Sequence, residues 1–313
     1  MRLIFIGASE FGLSCLDMIR SLRCCEISGV VTAPRKFSIS YRPQGVDNIL
    51  HADFNGYCSA HSIPCETIDE GMKSIALLSL VKEWRPDAFM VAGWYHLIPE
   101  HWRSLAPAYG LHASLLPDYS GGAPLVWAML NGETETGITL FKMDAGIDSG
   151  PIVGQKTETI RQDDTIATLY ERIESLGLEL ISHYFPKLAS GQVVLTDQDE
   201  SKRRVFPQRG PEDGEINWNL DVTSIRDFVR AQTKPYPGAF TTLNSERINI
   251  WKVSPNSLPA EDGLVPGQVL VHPALTLVKT GTGIIEINES TFRGKEIKGI
   301  ELRKHLKCAV FGN

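Results

Sequence analysis

Short apolar runs alternate with longer amphipathic stretches over the first half of the chain. The runs stand at Leu3 to Ile6, Ile27 to Val31, Ala88 to Val91, Tyr109 to His112 and Ile138 to Phe141. Phe11, Cys15, Met18, Ile19 and Leu22 recur at helical spacing, as do Leu169, Ile173, Leu176 and Leu180 after Asp164, a candidate cap. Such alternation predicts βαβ units around a mostly parallel, Rossmann-like sheet, an α/β fold in which each helix lays one face on the sheet.

From Ala189 the pattern breaks. GQVVLTDQDESKRRVFPQRGPEDGE is polar, charged and punctuated by Gly and Pro, the composition of an interdomain linker. The boundary is expected near Arg204, giving a domain over 1–204, linker included, and a second over 205–313. In the second, one helical stretch around Val222 to Gln232 precedes five short strand-like runs between Ala239 and Ile287, a pattern that suggests a small β-barrel.

Composition adds exclusions. With 42% hydrophobic residues in 313, the chain has material for real cores. A net charge of −6 argues against gripping nucleic acid by bulk charge, although residues 205–313 carry 13 Lys and Arg against 12 Asp and Glu. Six cysteines show no C-x-x-C pair and no zinc-like spacing, so reduced thiols and no metal are expected. The apolar start meets Gly7 too early for a signal peptide, and no apolar run reaches the roughly 20 residues a bilayer requires. A cytoplasmic, membrane-free protein is the expectation, and nothing implies an obligatory protein partner.

Candidate chemistry concentrates in YGLHASLLPDYSGGAPLVWAMLNGETETGITLFKMDAGIDSG, Tyr109 to Gly150. An apolar run reaches His112 before Pro117, Gly121, Gly122 and Pro124 break the chain into a loop, and a second run leads through a turn-forming segment to Asp148. A His with a carboxylate partner can move protons near neutral pH. Taken singly, His112 also reads as a core hydrogen-bonding group and Asp148 as a turn residue. Gly7 and Gly12 lack the G-x-G-x-x-G spacing and suit a tight strand-to-helix turn better than a dinucleotide site.

HASLLP, the Gly-Gly-Ala-Pro after it, NGETETGITLFKMDAGIDSG, QRGPEDGEINWN and AQTKPYPGAF, taken together, resemble the formyltransferase family that uses 10-formyltetrahydrofolate. In order and spacing the likeness runs furthest with the methionyl-tRNA-formylating branch, over both domains. It implies an OB-like carboxy-terminal domain and formyl transfer from 10-formyltetrahydrofolate to a primary amine, first the methionine of initiator methionyl-tRNA. A nucleotide-linked amino sugar as acceptor, or water in a 10-formyltetrahydrofolate hydrolase, is the alternative.

The resemblance further implies that His112 and Asp148 meet at the active site, His112 stabilising the oxyanion and Asp148 favouring the charged imidazole and helping to receive the amine proton. It assigns Trp94, His96 and Ile98, within PDAFMVAGWYHLIP, to the folate, joined by Asp144 and Ala145. Ser114, Leu115, Leu116 and Pro117 are expected at the acceptor, together with Arg42 from the long TAPRKFSISYRPQGVDNILHADF stretch, whose plain reading is a solvated loop. The basic run from Arg293 to Lys307 is a candidate RNA-backbone contact. Two departures stand out. Gly110 replaces the family's usual Asn donor, for which a water or the Gly110 backbone N–H is a possible substitute, and Ser120 replaces an Arg common in the translation enzymes.

Overall fold

The computed structural model describes all residues except Ser40, Tyr41, Asp69, Glu70, Ala260, Glu261, Asp262, Lys307, Cys308, Gly312 and Asn313, and excludes the side chains of Ile39, Arg42, Pro43, Gln44 and Val46. Leu3, Ile4, Phe5 and Ile6 are fully buried in strand β1 (Arg2–Ile6), as befits a strand covered on both faces. Helix α1 (Glu10–Leu22) follows, capped by Ser9, whose hydroxyl accepts the Gly12 N–H at 3.1 Å. It buries Gly12, Cys15, Leu16 and Ile19, one face of the expected repeat.

The chain continues through β2 (Glu26–Thr32), β3 (Lys36–Ile39), β4 (Arg42–Asp47), α2 (Phe54–Ala60), β5 (Cys65–Thr67), α3 (Ile75–Glu83), β6 (Ala88–Val91) and α4 (Glu100–Arg103). Then come β7 (Ala108–His112), β8 (Ser120–Gly121), α5 (Pro124–Leu130), β9 (Glu135–Lys142), β10 (Ile152–Thr159) and α6 (Ile166–Ala189). Seven strands form one sheet in the order β10-β9-β7-β6-β1-β2-β5. The pairs β1/β2, β1/β6, β2/β5 and β6/β7 are parallel, so the sheet is Rossmann-like and mostly parallel. Strand order reverses between β1 and β6, the switch point at which such sheets open a crevice beyond their carboxyl ends.

Three local features differ from the pattern read in the sequence. β9 runs antiparallel to β7, with His112 opposite Thr139 and Tyr109 opposite Lys142. The Pro-interrupted stretch after β2 is not a plain solvated loop, because β3 and β4 pair antiparallel, with Lys36 opposite Asp47 and Ile39 opposite Arg42. At α6 the cap is Thr165, whose hydroxyl accepts the Thr168 N–H at 3.4 Å, while Asp164 accepts the Thr168 hydroxyl at 2.9 Å.

Two compact units are distinguished, one of residues 1–121, 136–158 and 172–205, the other of residues 122–135, 159–171 and 206–313. The first packs Ile4, Ile6, Val31, Val81, Phe89 and Trp102 into one core. After β11 (Val205–Phe206), the second contains α7 (Val222–Gln232), β12 (Ala239–Leu243), β13 (Glu246–Asn256), β14 (Val269–Leu270), β15 (Leu277–Lys279), β16 (Ile284–Phe292), β17 (Lys295–Lys298) and α8 (Gly299–Arg303). Its antiparallel sheet, ordered β12-β13-β16-β15-β14 with β17 also on β16, is a curled half-barrel. Register shifts at Ile250/Lys252 and Lys252/Val253 mark where β13 bulges, and bulges bend a strand. Trp218, Ile225, Ile248, Ile250, Ile285 and Phe311 fill its core.

Among the described residues, no helix is long and apolar enough to cross a membrane. The described cysteines are free thiols, and burial pushes the Cys15 thiol well above its ordinary range.

Candidate active site

β6 and β7 lie side by side and parallel, with Val91 opposite Gly110, so residues 92–98 and His112 leave the sheet at the same edge. The β1–α1 turn closes on that edge. A Cβ at Gly7 or Gly12 would come within 2.6 Å of the Ala92 carbonyl oxygen, so both glycines serve close backbone approach rather than a phosphate loop.

His112 and Asp148 are brought together, with Nδ1 3.5 Å from Oδ2. The distance exceeds a good hydrogen bond, and the two side chains are 11% and 22% exposed. The other ring nitrogen, Nε2, lies 2.8 Å from the Tyr119 carbonyl oxygen. Both ring nitrogens therefore face oxygen atoms, one within hydrogen-bond distance and one just beyond it. Asp148 Oδ2 also accepts the Gly121 N–H at 2.8 Å. Asp148 reaches this place six residues beyond the end of β9, in a segment that reverses on itself.

The surrounding backbone is unusual. Tyr119 and Asp148 adopt φ of 55° and 51°, left-handed values that cost a non-glycine residue on the order of 1 kcal/mol or more. Sequence reasoning did not single out Tyr119 and read Gly121 only as a loop breaker, because both contribute through backbone C=O and N–H, which any residue carries.

Gly110 lies two residues before His112, between Val91 and Phe141 in the sheet ladder. A Cβ there would collide with the terminal methyl of Met143, so a thioether occupies the place where a side-chain donor would start. In the following segment Ser114 is fully buried, its hydroxyl donating to the Asp118 carbonyl at 2.7 Å. Leu116 is buried as well, and its backbone N–H donates to Thr139 Oγ1 at 3.2 Å. The Ser114 and Leu116 side chains are thus buried within the segment, whereas Leu115 and Pro117 are half-buried.

On the β6 side, Trp94 and His96 lie with ring centroids 5.4 Å apart, and Phe37 of β3 stands 5.3 Å from His96. Ile98 is buried beneath. Trp94 Nε1 and His96 Nε2 are buried without a hydrogen-bond partner among the described residues. Buried polar atoms are seldom left so, and two beside apolar rings fit a flat ligand with a polar edge. Burial also holds the His96 imidazole below its ordinary range. Asn48, absent from the sequence reading, ties this wall together: it accepts the Tyr95 hydroxyl at 2.9 Å and donates to the Ala8 carbonyl at 3.0 Å.

Asp144 and Ala145 are exposed, and Asp144 Oδ1 accepts the Gly146 N–H and the Ser149 hydroxyl, closing its own turn. Arg42 begins β4, but its side chain lies outside the described part. In the second unit, Arg293 pairs with Glu246 at 2.9 Å and Lys234 pairs with Glu296, while Lys295, Lys298 and Lys304 are exposed; Lys307 lies outside the described residues. Among the described residues, no group of three or more His, Cys, Asp or Glu converges as a metal site would require.

The arrangement defines a doubly wound α/β domain with its polar site at the carboxyl edge, one strand from the switch point. The formyl transferase family profile matches residues 8–184, and the profile of the formyl transferase C-terminal domain matches residues 209–303. The chain belongs to the formyl transferase family.

Solved structures share the fold at low identity. An N-formyltransferase from Helicobacter canadensis, in complex with folinic acid and dTDP-3-aminofucose, is 19% identical with a TM-score of 0.65, over 91% of this chain and 98% of that one. Methionyl-tRNA formyltransferase from Clostridium thermocellum is 19% identical with a TM-score of 0.56, over 96% and 100%. HypX from Aquifex aeolicus, in complex with tetrahydrofolic acid, is 16% identical with a TM-score of 0.62, over 96% of this chain but 46% of that one, so the chain spans about half of HypX.

Proposed function

We propose that the chain transfers the formyl group of 10-formyltetrahydrofolate to a primary amine, with the methionine of initiator methionyl-tRNA as the first acceptor. The observation that carries this reading is the 3.5 Å contact of His112 with Asp148 at the end of β7, next to β6, whose carboxyl end leads to Trp94 Nε1 and His96 Nε2, both without a hydrogen-bond partner among the described residues. Family membership supplies the reaction class. Trp94, His96 and Ile98 hold the pteridine, an apolar ring with a polar edge. The folate supplies an activated carbonyl.

Asp148 Oδ1 has no hydrogen-bond partner among the described residues, so it is the available acceptor for the proton of an attacking amine, directly or through one water. His112 exchanges the Tyr119 carbonyl for the developing negative charge on the formyl oxygen, with Asp148 orienting the ring. Collapse of the tetrahedral adduct breaks the C–N10 bond, and the proton taken from the amine passes to N10, so that tetrahydrofolate leaves neutral. Such proton transfer contributes roughly 100- to 10,000-fold in rate.

A second acceptor, a nucleotide-linked amino sugar, is favoured by the pairing of Arg293 with Glu246 and of Lys234 with Glu296, which leaves fewer cations for an RNA backbone. Steady-state turnover of 10-formyltetrahydrofolate, offering charged tRNA, an amino-sugar nucleotide or water alone, separates transfer from hydrolysis and one acceptor from the other. Formylated methionyl-tRNA is the expected product, and release of formate alone would replace the transferase by a hydrolase.

A further inference from the structure

The geometry points to Arg203 as the positioning residue of the His112–Asp148 pair: its guanidinium clamps the loop that carries Tyr119 and Gly121 to the loop that carries Asp148. Nη1 donates to Ser120 Oγ at 2.7 Å and to the Ile147 carbonyl at 3.2 Å, one bond to each loop. Nη2 donates to Gln198 Oε1 at 3.1 Å and to Glu200 Oε1 at 2.6 Å, and Nε donates to Glu200 Oε2 at 2.5 Å. All five N–H donors are thereby used, on a side chain only 13% exposed.

Gln198 extends the clamp. Its Nε2 donates to the carbonyls of Asp148 at 2.8 Å and Gly150 at 2.6 Å, so one chain of hydrogen bonds runs from Ser120 through Arg203 and Gln198 to the Asp148 backbone. Arg204, the next residue, binds Asp118 through two 2.6 Å contacts, stands 4.7 Å from the Tyr119 ring centre and accepts the Ser120 N–H with its carbonyl at 3.0 Å.

The clamp has a physical task. Tyr119 and Asp148 have left-handed backbones, and such conformations persist only where the surroundings over-determine them. The Tyr119 carbonyl and the Gly121 N–H are the groups that meet His112 Nε2 and Asp148 Oδ2. If the loops relax, the acceptor on one ring nitrogen and the donor on the carboxylate move together, and the pair loses its orientation. Glu200 is the foremost partner holding the charge on Arg203, so the fork presents fixed donors to both loops.

This inference rests on the proposed function for its kinetic consequence but not for its structural one, and its test reads both. The His112 Nε2–H, held on the Tyr119 carbonyl, is expected as a slowly exchanging downfield imidazole proton in the NMR spectrum of the intact chain, assigned by its loss in His112→Gln. In Arg203→Ala that proton exchanges at least about tenfold faster. The kcat for 10-formyltetrahydrofolate turnover falls roughly 10- to 100-fold with little change in KM, the size expected of a misplaced catalytic group.

Arg203→Lys restores part of both signals, since one ammonium reaches one loop but cannot reproduce the planar fork. If Arg203→Ala fails to fold, Gln198→Leu cuts the link to Asp148 while leaving the Arg203–Glu200 pair in place, and it is expected to shift the same resonance. An unchanged imidazole proton and unchanged kcat in a folded Arg203→Ala protein would overturn the clamp. A wild-type protein that shows the Arg203-dependent resonance yet turns over no 10-formyltetrahydrofolate would support the clamp and overturn only the proposed activity.

Discussion

Met143 fills the space that a side chain at Gly110 would enter. The Gly110 backbone is not left-handed, so it is this methyl, the far end of a flexible side chain, that a larger residue must push aside. Gly110→Asn is therefore expected to cost no more than about 1 kcal/mol, the low end of overpacking. With the methyl displaced, the amide acts as an added donor and raises kcat by about tenfold or more. A strongly lowered urea midpoint would show that Met143 does not yield, and an unchanged kcat would show that the amide does not reach the reacting oxygen.

His96 gives the fold a pH dependence of known sign. Burial holds its folded-state pKa below the ordinary 6.5, so the unfolded chain binds the proton more readily. The stability linked to this group is therefore complete above 6.5 and is lost as pH falls from 6.5 toward the depressed value. Urea midpoints measured between pH 7.5 and about 5 should fall less steeply in His96→Gln than in wild type. Equal slopes in the two proteins would mean that the imidazole is not held neutral by burial.

Strand periodicity made the parallel core legible, because a run such as Leu3 to Ile6 has no polar face and must be covered on both sides. The direction of β9 was not legible, since Ile138 to Phe141 carries the same apolar signal whichever way it pairs with β7. His112 and Asp148 could be picked out because their side-chain chemistry is distinctive within an ordered motif. Tyr119 and Gly121 could not, for their contribution is a carbonyl and an N–H. Met143 was hidden for a related reason: a methionine just after a strand reads as core, and only the fold reveals which glycine it covers.

The acceptor can be read from salt dependence. If Lys295, Lys298 and Lys304, exposed on the second unit, neutralise RNA phosphates, affinity for charged tRNA falls with salt at a log-log slope of roughly −0.7 to −0.9 per phosphate. Replacing the three by Gln should then flatten the slope by about two to three. An unchanged slope would leave these lysines as solvated surface and shift the acceptor toward the amino-sugar nucleotide.

The most direct test of the central claim follows a labelled formyl group from 10-formyltetrahydrofolate in a single turnover with wild type, His112→Ala and Asp148→Asn, while calorimetry with a folate analogue checks that each variant still binds. The predicted result is label on the acceptor amine for wild type, and a rate lower by roughly 100- to 10,000-fold in either variant with analogue affinity retained. Near wild-type transfer by a folded His112→Ala protein would contradict the assignment of the chemistry to this pair.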